Sequence, residues 1–306
     1  MKLTKSLIAL TSAVAISAAP VFAGSKTFKE TVVVQEEVAP WSAALSTGYD
    51  SLYMFRGVNV LRDYNNEGNK DKGGNYGDGL FWTDVSATYN FTENDSITAG
   101  GWMAWGAGNI GYQEFNARLN YVHTIDNLAL GLGYTLYAVF PEANTDSYAN
   151  ELNASVAYNI DLGFMTLTPS TTYYFNLGPD SDIDNPGASG SAVTGSSYLD
   201  LRLSGAIPVI GDTVSINPWT AFGLNFNANL EGGEYDAAAG VFTPGQPFYG
   251  ANNLEFGVAV PWKINDVITL SGYAAYSIAF NDLRGSGTQP TDPNTLWGGA
   301  KVTFSF

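Results

Sequence analysis

Large apolar residues alternate with small or polar residues along most of the chain, and the C-terminal segment shows the pattern most clearly. The residues of one face are mostly large and apolar: Leu296, Ala300, Val302, Phe304 and Phe306. The residues of the other face are mostly polar: Trp297, Lys301, Thr303 and Ser305. Successive side chains of a β-strand point to opposite faces. The pattern therefore predicts a strand with one apolar and one polar side.

The same alternation predicts twelve strands. Their expected ranges are about 41–60, 79–91, 96–106, 111–124, 127–140, 148–160, 163–176, 197–209, 213–229, 249–264, 267–281 and 295–306. Tight turns and longer connections alternate between them, apart from a short connection at 107–110. This arrangement is typical of an all-β, antiparallel, up-and-down barrel that crosses a membrane. Pro169 and Pro218 fall inside two of the strands, where we expect β-bulges.

The composition agrees with a transmembrane barrel. Only 14% of the residues are charged, against about 25% in a typical soluble domain, whereas glycine, tyrosine and phenylalanine are abundant, with 34, 18 and 17 copies. The formal net charge of −16 argues against a nucleic-acid partner, because phosphate binding requires a basic surface. The chain contains no cysteine, so the predicted fold depends on its hydrogen-bonded strands and not on disulfides.

The N-terminal residues are typical of an export signal. Lys2 and Lys5 precede an apolar stretch over 7–19, which is shorter than the roughly 20 residues that a membrane-spanning helix needs. We predict a signal peptide over 1–23, a periplasmic segment over 24–40 and the barrel over 41–306. Export through the periplasm to the bacterial outer membrane is expected, with lipid and the barrel-assembly machinery as partners. Phe304 and Phe306 are the predicted assembly signal.

Residues 49–58 read YDSLYMFRGV. The segment resembles the first strand of a family of uncharacterised, porin-like Gram-negative outer-membrane β-barrels, in which a tyrosine and an aromatic residue precede Arg-Gly. The matching positions are Tyr49, Ser51, Tyr53, Phe55, Arg56 and Gly57. The resemblance implies the barrel fold but no activity, because that family has no agreed biochemical role. Arg56 is interpreted either as a pore-lining cation or, preferably, as the partner of a luminal carboxylate.

Strand parity predicts which charged residues face the lumen. The pore-lining candidates are Arg56, Asp84, Glu114, Arg118, Glu151, Asp200, Arg202, Glu255 and Lys301. Two arrangements are open. The charges either form acidic and basic walls that select solutes across a water-filled pore, or they pair across a filled interior. The strand number does not decide, since twelve lies between the filled eight-stranded barrels and the open channels of 16 or more strands.

An enzyme is not expected. His123, the only histidine, falls beside a predicted turn with no outward-facing serine placed to use it, which disfavours a triad hydrolase. The lack of cysteine and of further histidines disfavours a zinc site. Asp180, Asp182 and Asp184 resemble the start of a calcium loop, but the expected glycine and glutamate are absent, so a solvated acidic loop is favoured. No cofactor is expected.

The sequence therefore predicts a porin-like passive channel for ions or small solutes. The alternative is a closed structural or adhesion barrel, whose acidic loops over 61–78, 177–196 and 230–248 bind surface polysaccharide or host material. Conductance distinguishes the two, because only a channel needs a continuous water path.

Overall fold

The computed structural model describes residues 40–61, 79–107, 112–140, 147–179, 194–231, 234–236, 241–243, 246–280 and 294–306. The strands are β1 (Trp41–Asp50), β2 (Met54–Phe55), β3 (Val58–Asn59), β4 (Leu80–Asn90), β5 (Asp95–Gly106), β6 (Gln113–Ile125), β7 (Leu128–Phe140), β8 (Ser147–Tyr158), β9 (Ile160–Asp161), β10 (Thr166–Pro179), β11 (Ser197–Ile210), β12 (Val214–Glu231), β13 (Glu234–Asp236), β14 (Val241–Thr243), β15 (Gln246–Lys263), β16 (Ile268–Ala279) and β17 (Thr295–Ser305). Across these residues, no helix is long and apolar enough to cross a membrane.

Twelve of the strands form one closed antiparallel barrel. They are β1, β4–β8, β10–β12 and β15–β17, each paired with its neighbours along the chain. The pairing of β1 with β17 closes the barrel, and backbone hydrogen bonds between Ala43 and Phe306 extend that closure to the end of the chain. Closure leaves the wall without an exposed strand edge, as lipid requires. The predicted twelve-stranded barrel is thus confirmed.

The two ends of the barrel differ in their connections. One end, here called the turn end, carries both ends of the barrel chain and the tight turns at 91–94, 126–127, 162–165, 211–213 and 264–267. The other end, here called the loop end, carries the longer connections. Asx and threonine turns stabilise several of the tight turns: Asn265 Oδ1, for example, accepts hydrogen bonds from the backbone amides of Val267 and Ile268.

The outer surface is an apolar belt between two aromatic rims. Exposed aliphatic residues such as Leu132, Leu201 and Val258 cover its middle. At the turn end the rings of Trp41 and Tyr89 lie 4.5 Å apart, measured between centroids. Near the loop end, Tyr49 and Phe81 lie 5.0 Å apart. Aromatic girdles at both membrane interfaces around an apolar band are typical of outer-membrane barrels.

Two details of the sequence prediction are wrong. The first predicted strand was too long, since β1 ends at Asp50 and the chain then turns into the barrel. The residues after Ser51 form a hairpin inside the barrel. Their large and small or polar side chains alternate as those of a wall strand do, so the sequence pattern does not separate the two. The expected bulges at Pro169 and Pro218 are absent, because the register with β11 and β15 continues unchanged through each proline. On the opposite edge of each strand, facing β8 for Pro169 and β11 for Pro218, the strand pairing is interrupted near the proline.

Candidate functional site

A short hairpin crosses the barrel interior near the loop end. β2 and β3 pair between Phe55 and Val58, so Arg56 and Gly57 form a two-residue turn at its tip. Both have positive φ angles, 50° and 82°. Two positive φ angles in succession define a type I′ turn, in which glycine is favoured at the second position and arginine is strained at the first. Contacts with the opposite wall hold the tip in this conformation.

The hairpin tip contacts the opposite wall through Arg56. Its Nη2 lies 2.6 Å from Oε2 of Glu151 on β8, and both side chains are nearly buried. The guanidinium carbon lies 4.4 Å from the ring centroid of Tyr174 and 5.2 Å from that of Tyr198. Asn252 Nδ2 donates a hydrogen bond of 2.6 Å to the Arg56 carbonyl. Arg56 therefore joins β8, β10, β11 and β15 through one side chain and one carbonyl.

The base of the hairpin packs on the wall from which it leaves. Leu61 and Tyr112 form a buried cluster with Leu80 and Ala104. Tyr53 belongs to its margin, with its ring centroid 5.7 Å from that of Trp102. The Tyr53 hydroxyl donates to Oε1 of Glu114 at 3.4 Å. With its base in this cluster and its tip on the opposite wall, the hairpin spans the lumen.

Several buried polar groups around the hairpin are hydrogen-bonded to one another, whereas the side-chain oxygens of Asn59 and Asn116 have no hydrogen-bond partner within the described ranges of the chain. Glu114, only 4% exposed, accepts hydrogen bonds from the Tyr112 hydroxyl and from Asn116 Nδ2. Asn253 accepts from the Tyr198 hydroxyl at 3.1 Å and donates to Ser277 Oγ at 3.1 Å. Buried polar groups are costly when unpaired and specify one arrangement when they are satisfied. This network makes the loop-end half of the lumen a specifically packed region.

Farther from the hairpin, the interior wall carries charged pairs that contact solvent. Arg118 makes two hydrogen bonds to Asp84, with N–O distances of 2.5 and 2.7 Å, and its side chain is 28% exposed. Gly100 lies between them on β5, where a Cβ atom would stand 3.0 Å from Arg118 Nε. Glycine thus lets the guanidinium lie flat across β5 and form a bidentate pair.

The other side of the lumen carries a second charged group. Arg202 Nη2 lies 3.1 Å from Asp200 Oδ2 on the same strand, β11. Glu255 on β15 accepts a hydrogen bond of 2.9 Å from Trp219 Nε1. Lys301 on β17 interacts electrostatically with Asp50 and Asp84. Positive and negative groups therefore alternate locally on each wall and do not form one acidic and one basic wall.

The structure places all nine sequence-predicted charged residues on the interior side of the barrel. Arg56, Glu151 and Glu114 belong to the packed hairpin region. The others lie on the strands of the wall: Asp84, Arg118, Asp200, Arg202, Glu255 and Lys301. The sequence analysis missed the interior roles of Asp50, Trp219 and Tyr273. Strand parity could have placed them, because they share the interior face with Gly48, Ala221 and Ser271.

Two of the other sequence candidates, His123 and Phe306, lie outside the lumen. His123 Nδ1 lies 2.8 Å from Asp95 Oδ1 at the turn-end rim, and the Tyr121 hydroxyl bonds to the same carboxylate at 2.6 Å. Phe306 is 72% exposed on the outer surface. The described part of the chain holds no cluster of three or more potential metal ligands. Asp180, Asp182 and Asp184, together with the predicted signal peptide and the 24–39 segment, lie outside the described residues.

No protein-family model and no curated protein matches the sequence. Among solved structures, an outer membrane channel from Pseudomonas putida F1 is similar at a TM-score of 0.52 and 12% identity, covering 90% of this chain and all of that one. LpxR from Salmonella typhimurium (TM-score 0.46, 10% identity, covering 86% and 99%) and the KdgM porin (0.42, 7%, covering 87% and 99%) are more distant. Only the first likeness supports the fold. The chain has the fold of a twelve-stranded outer-membrane β-barrel.

Proposed function

We propose that the protein is an outer-membrane channel for passive movement of small solutes, with the β2–β3 hairpin as its constriction. The observation that carries the proposal is the contrast between wall and hairpin. Below the hairpin, toward the turn end, charged and polar side chains such as Arg118 and Asp84 remain partly accessible to solvent. A barrel interior filled only for stability would cover these groups, since exposed luminal charge adds little to folding.

The position of the hairpin suggests that it narrows the lumen and does not close it. It is one short element that crosses the lumen from its base at Leu61 to its tip at Arg56, and the wall below it carries the partly accessible pair Asp84 and Arg118. Elements folded into a barrel narrow a pore and so determine which solutes pass. In this proposal, diffusion occurs beside the hairpin, along the wall carrying Asp84 and Arg118, without cofactor or covalent chemistry.

The test is single-channel recording of the refolded protein in a planar bilayer, with a salt gradient across the membrane. We expect reproducible conductance steps and a non-zero reversal potential, because a lumen lined by charged groups passes cations and anions unequally. Heat-modifiable migration on gels verifies folding in the same sample. A folded protein that conducts no current in repeated insertions overturns the channel proposal.

That negative result would favour a closed structural or adhesion barrel. The loop segments on which adhesion would depend lie largely outside the described residues. The hydrogen-bonded network around Glu114 and Asn253 is the specific observation that suits a closed barrel, because these two buried side chains find their partners within the protein. Binding of the folded but silent protein to purified surface polysaccharide would then be the deciding measurement.

A further inference from the structure

Three aromatic rings lie flat against the inner wall over glycines of neighbouring strands. Trp219 of β12 covers Gly257 of β15, and Tyr273 of β16 covers Gly299 of β17. On the other side of the barrel closure, Trp82 of β4 covers Gly48 of β1. A Cβ atom at Gly48 would stand 2.6 Å from Cζ2 of Trp82, and one at Gly299 would stand 2.6 Å from Cε1 of Tyr273. We call Trp82, Trp219 and Tyr273 the aromatic band.

Hydrogen bonds at their edges hold two of the three rings of the aromatic band in place. Trp219 Nε1 donates to Glu255 at 2.9 Å, and the Tyr273 hydroxyl donates to Asp50 Oδ1 at 2.8 Å. The centroids of these two rings lie 6.3 Å apart. All three residues are half-buried. Because the glycine side of each ring is covered by backbone, its remaining exposure lies toward the interior.

The aromatic band adjoins the hairpin. Trp82 packs against the buried cluster of Leu61 and Tyr112 at the hairpin base. Asp50, which bonds Tyr273, is the last residue of β1 before the chain turns inward. The three platforms therefore follow the inner wall from β12 to β4 and end at the proposed constriction, where a passing solute is held closest to the wall.

The charged side chains beside the rings indicate which class of ligand the aromatic band suits. Glu255 and Asp50 provide carboxylate acceptors, and a carboxylate can accept about four hydrogen bonds, so one bond from a ring leaves further acceptor sites. Lys301 interacts with Asp50, and Arg202 interacts with Glu255. The charges beside the platforms are therefore balanced. A cationic solute would meet Lys301 and Arg202, and an apolar solute would desolvate the carboxylates at a cost.

We propose that the aromatic band binds the pyranose rings of neutral sugars as they pass through the channel. This inference rests on the proposed channel function and names its solute class. The C–H face of a pyranose is weakly positive and suits the negative face of an indole or phenol ring. The hydroxyl groups at the edge of the sugar replace water at the carboxylates and the cations. Aromatic platforms with hydrogen-bonding groups in the plane of the ligand meet both requirements.

The first experiment measures block of single-channel current by maltose, with the linear polyol sorbitol as a probe that has hydroxyl groups but no ring face. We expect maltose to interrupt the current at millimolar concentrations, with at least tenfold weaker block by sorbitol. Trp219→Leu should weaken maltose block by about tenfold, whereas Trp219→Phe, which keeps an aromatic face, should remain within about threefold of the original protein. Trp41→Leu on the outer rim is the matched control and should have no effect.

Equilibrium dialysis of the refolded protein against radiolabelled maltose tests the same site independently of conduction. Maltose binding that Trp219→Leu abolishes would support the site even in a barrel that conducts no current, so failure of the channel and failure of the sugar site are distinguishable. The inference is overturned if folded Trp219→Leu and Tyr273→Leu variants bind maltose as tightly as the original protein. It is also overturned if maltose and sorbitol act equally. Ring–glycine contacts that serve folding alone would give one of these results.

Discussion

The hairpin region and the wall below it use similar residues for different purposes. Around the hairpin, Glu151 pairs with Arg56 at 2.6 Å where both side chains are nearly buried. On the wall, Asp84 pairs with Arg118 at 2.5 Å, but 28% of the arginine side chain is exposed to solvent. Both are carboxylate–guanidinium pairs. Burial makes the first a determinant of structure, because a buried charge without its partner is strongly destabilising. Exposure leaves the second accessible to solutes in the proposed channel.

The comparison also shows that the luminal charges are arranged differently in the two regions. A filled interior with paired charges describes the loop-end half, where the hairpin meets the wall. Wall charges in contact with solvent describe the region below it. The arrangement of one acidic and one basic wall does not occur among the described residues, because Asp84, Arg118, Asp200 and Arg202 pair with neighbours on their own side.

The largest expected effect comes from removing the hairpin. Replacing residues 52–60 with three glycines should raise single-channel conductance several-fold, because the element that crosses the lumen is lost. The wall should still form, since Asp50 and Leu80 are paired neighbours and the remaining chain can connect them. Replacing 183–191 in another connection with three glycines is the length-matched control. Equal conductance of the hairpin deletion and the original protein would show that the hairpin does not constrict the pore.

Separating the buried ion pair should have the next largest effect. Arg56→Met leaves Glu151 buried without its partner, and we expect a loss of about 3–5 kcal/mol in the free energy of unfolding, measured by urea titration in lipid vesicles. Lys263→Met is the matched control, because its partner Asp266 is 59% exposed at the turn end, and such a pair contributes about 0–1 kcal/mol. The double variant Arg56→Met, Glu151→Leu should recover most of the loss. Similar losses from Arg56→Met and Lys263→Met would contradict the distinction drawn between buried and exposed pairs.

Charge reversal on the wall should change ion selectivity without unfolding the barrel. Arg118→Glu places a second negative group beside Asp84, and one charge contributes about 1 kcal/mol at 4 Å in water, or roughly a fivefold change in local ion concentration. The reversal potential in a salt gradient should therefore move toward cation preference, and Arg202→Glu should move it in the same direction. Lys263→Glu at the rim should have a smaller effect. Unchanged reversal potentials in both wall variants would exclude a charge-selecting lumen.

The smallest expected effect distinguishes backbone strain from packing at the hairpin tip. Gly57 and Gly163 both have a φ of 82°, so alanine at either position should cost about 1 kcal/mol in backbone strain. A Cβ atom at Gly57 would also stand 2.7 Å from Asn253 Cγ, whereas nothing lies within 4 Å of one at Gly163. Gly57→Ala should therefore be the more destabilising of the two in urea unfolding. Equal values would mean that the hairpin tip adjusts freely against the opposite wall.

Strand periodicity predicted most of the barrel because the environment alternates across the wall. Most of the barrel strands, among them those containing Leu132, Leu201 and Val258, could be placed by apolar residues at every second position. An alternating pattern shows that every second side chain is in an apolar environment, but not whether that environment is lipid or a packed interior. For this reason the pattern alone extends the first wall strand over residues 51–60. Tyr53 and Phe55 have the parity of wall residues, but their apolar surface is covered by Trp102 and Tyr137 inside the barrel.

The candidate site was predictable as a set of residues and not as an arrangement. Parity placed Arg56, Arg118 and Arg202 on the interior face. It gave no partner for any of them, because the partners depend on the staggered register of neighbouring strands. The pairing of Arg56 with Glu151 joins residues 95 positions apart and follows only from the way the hairpin crosses the lumen. The glycines under Trp219 and Trp82 are likewise matched to their rings by strand pairing.

The sequence by itself determined the class of fold, the number of strands, and the alternation of short turns and loops. These properties follow from local periodicity, since each strand independently meets an apolar exterior and a polar interior. The tertiary structure decided that the first connection folds inward, which charges are buried by it, and which aromatic rings lie over which glycines. Those features depend on contacts between residues far apart in the chain, and closure of the barrel is what brings them together.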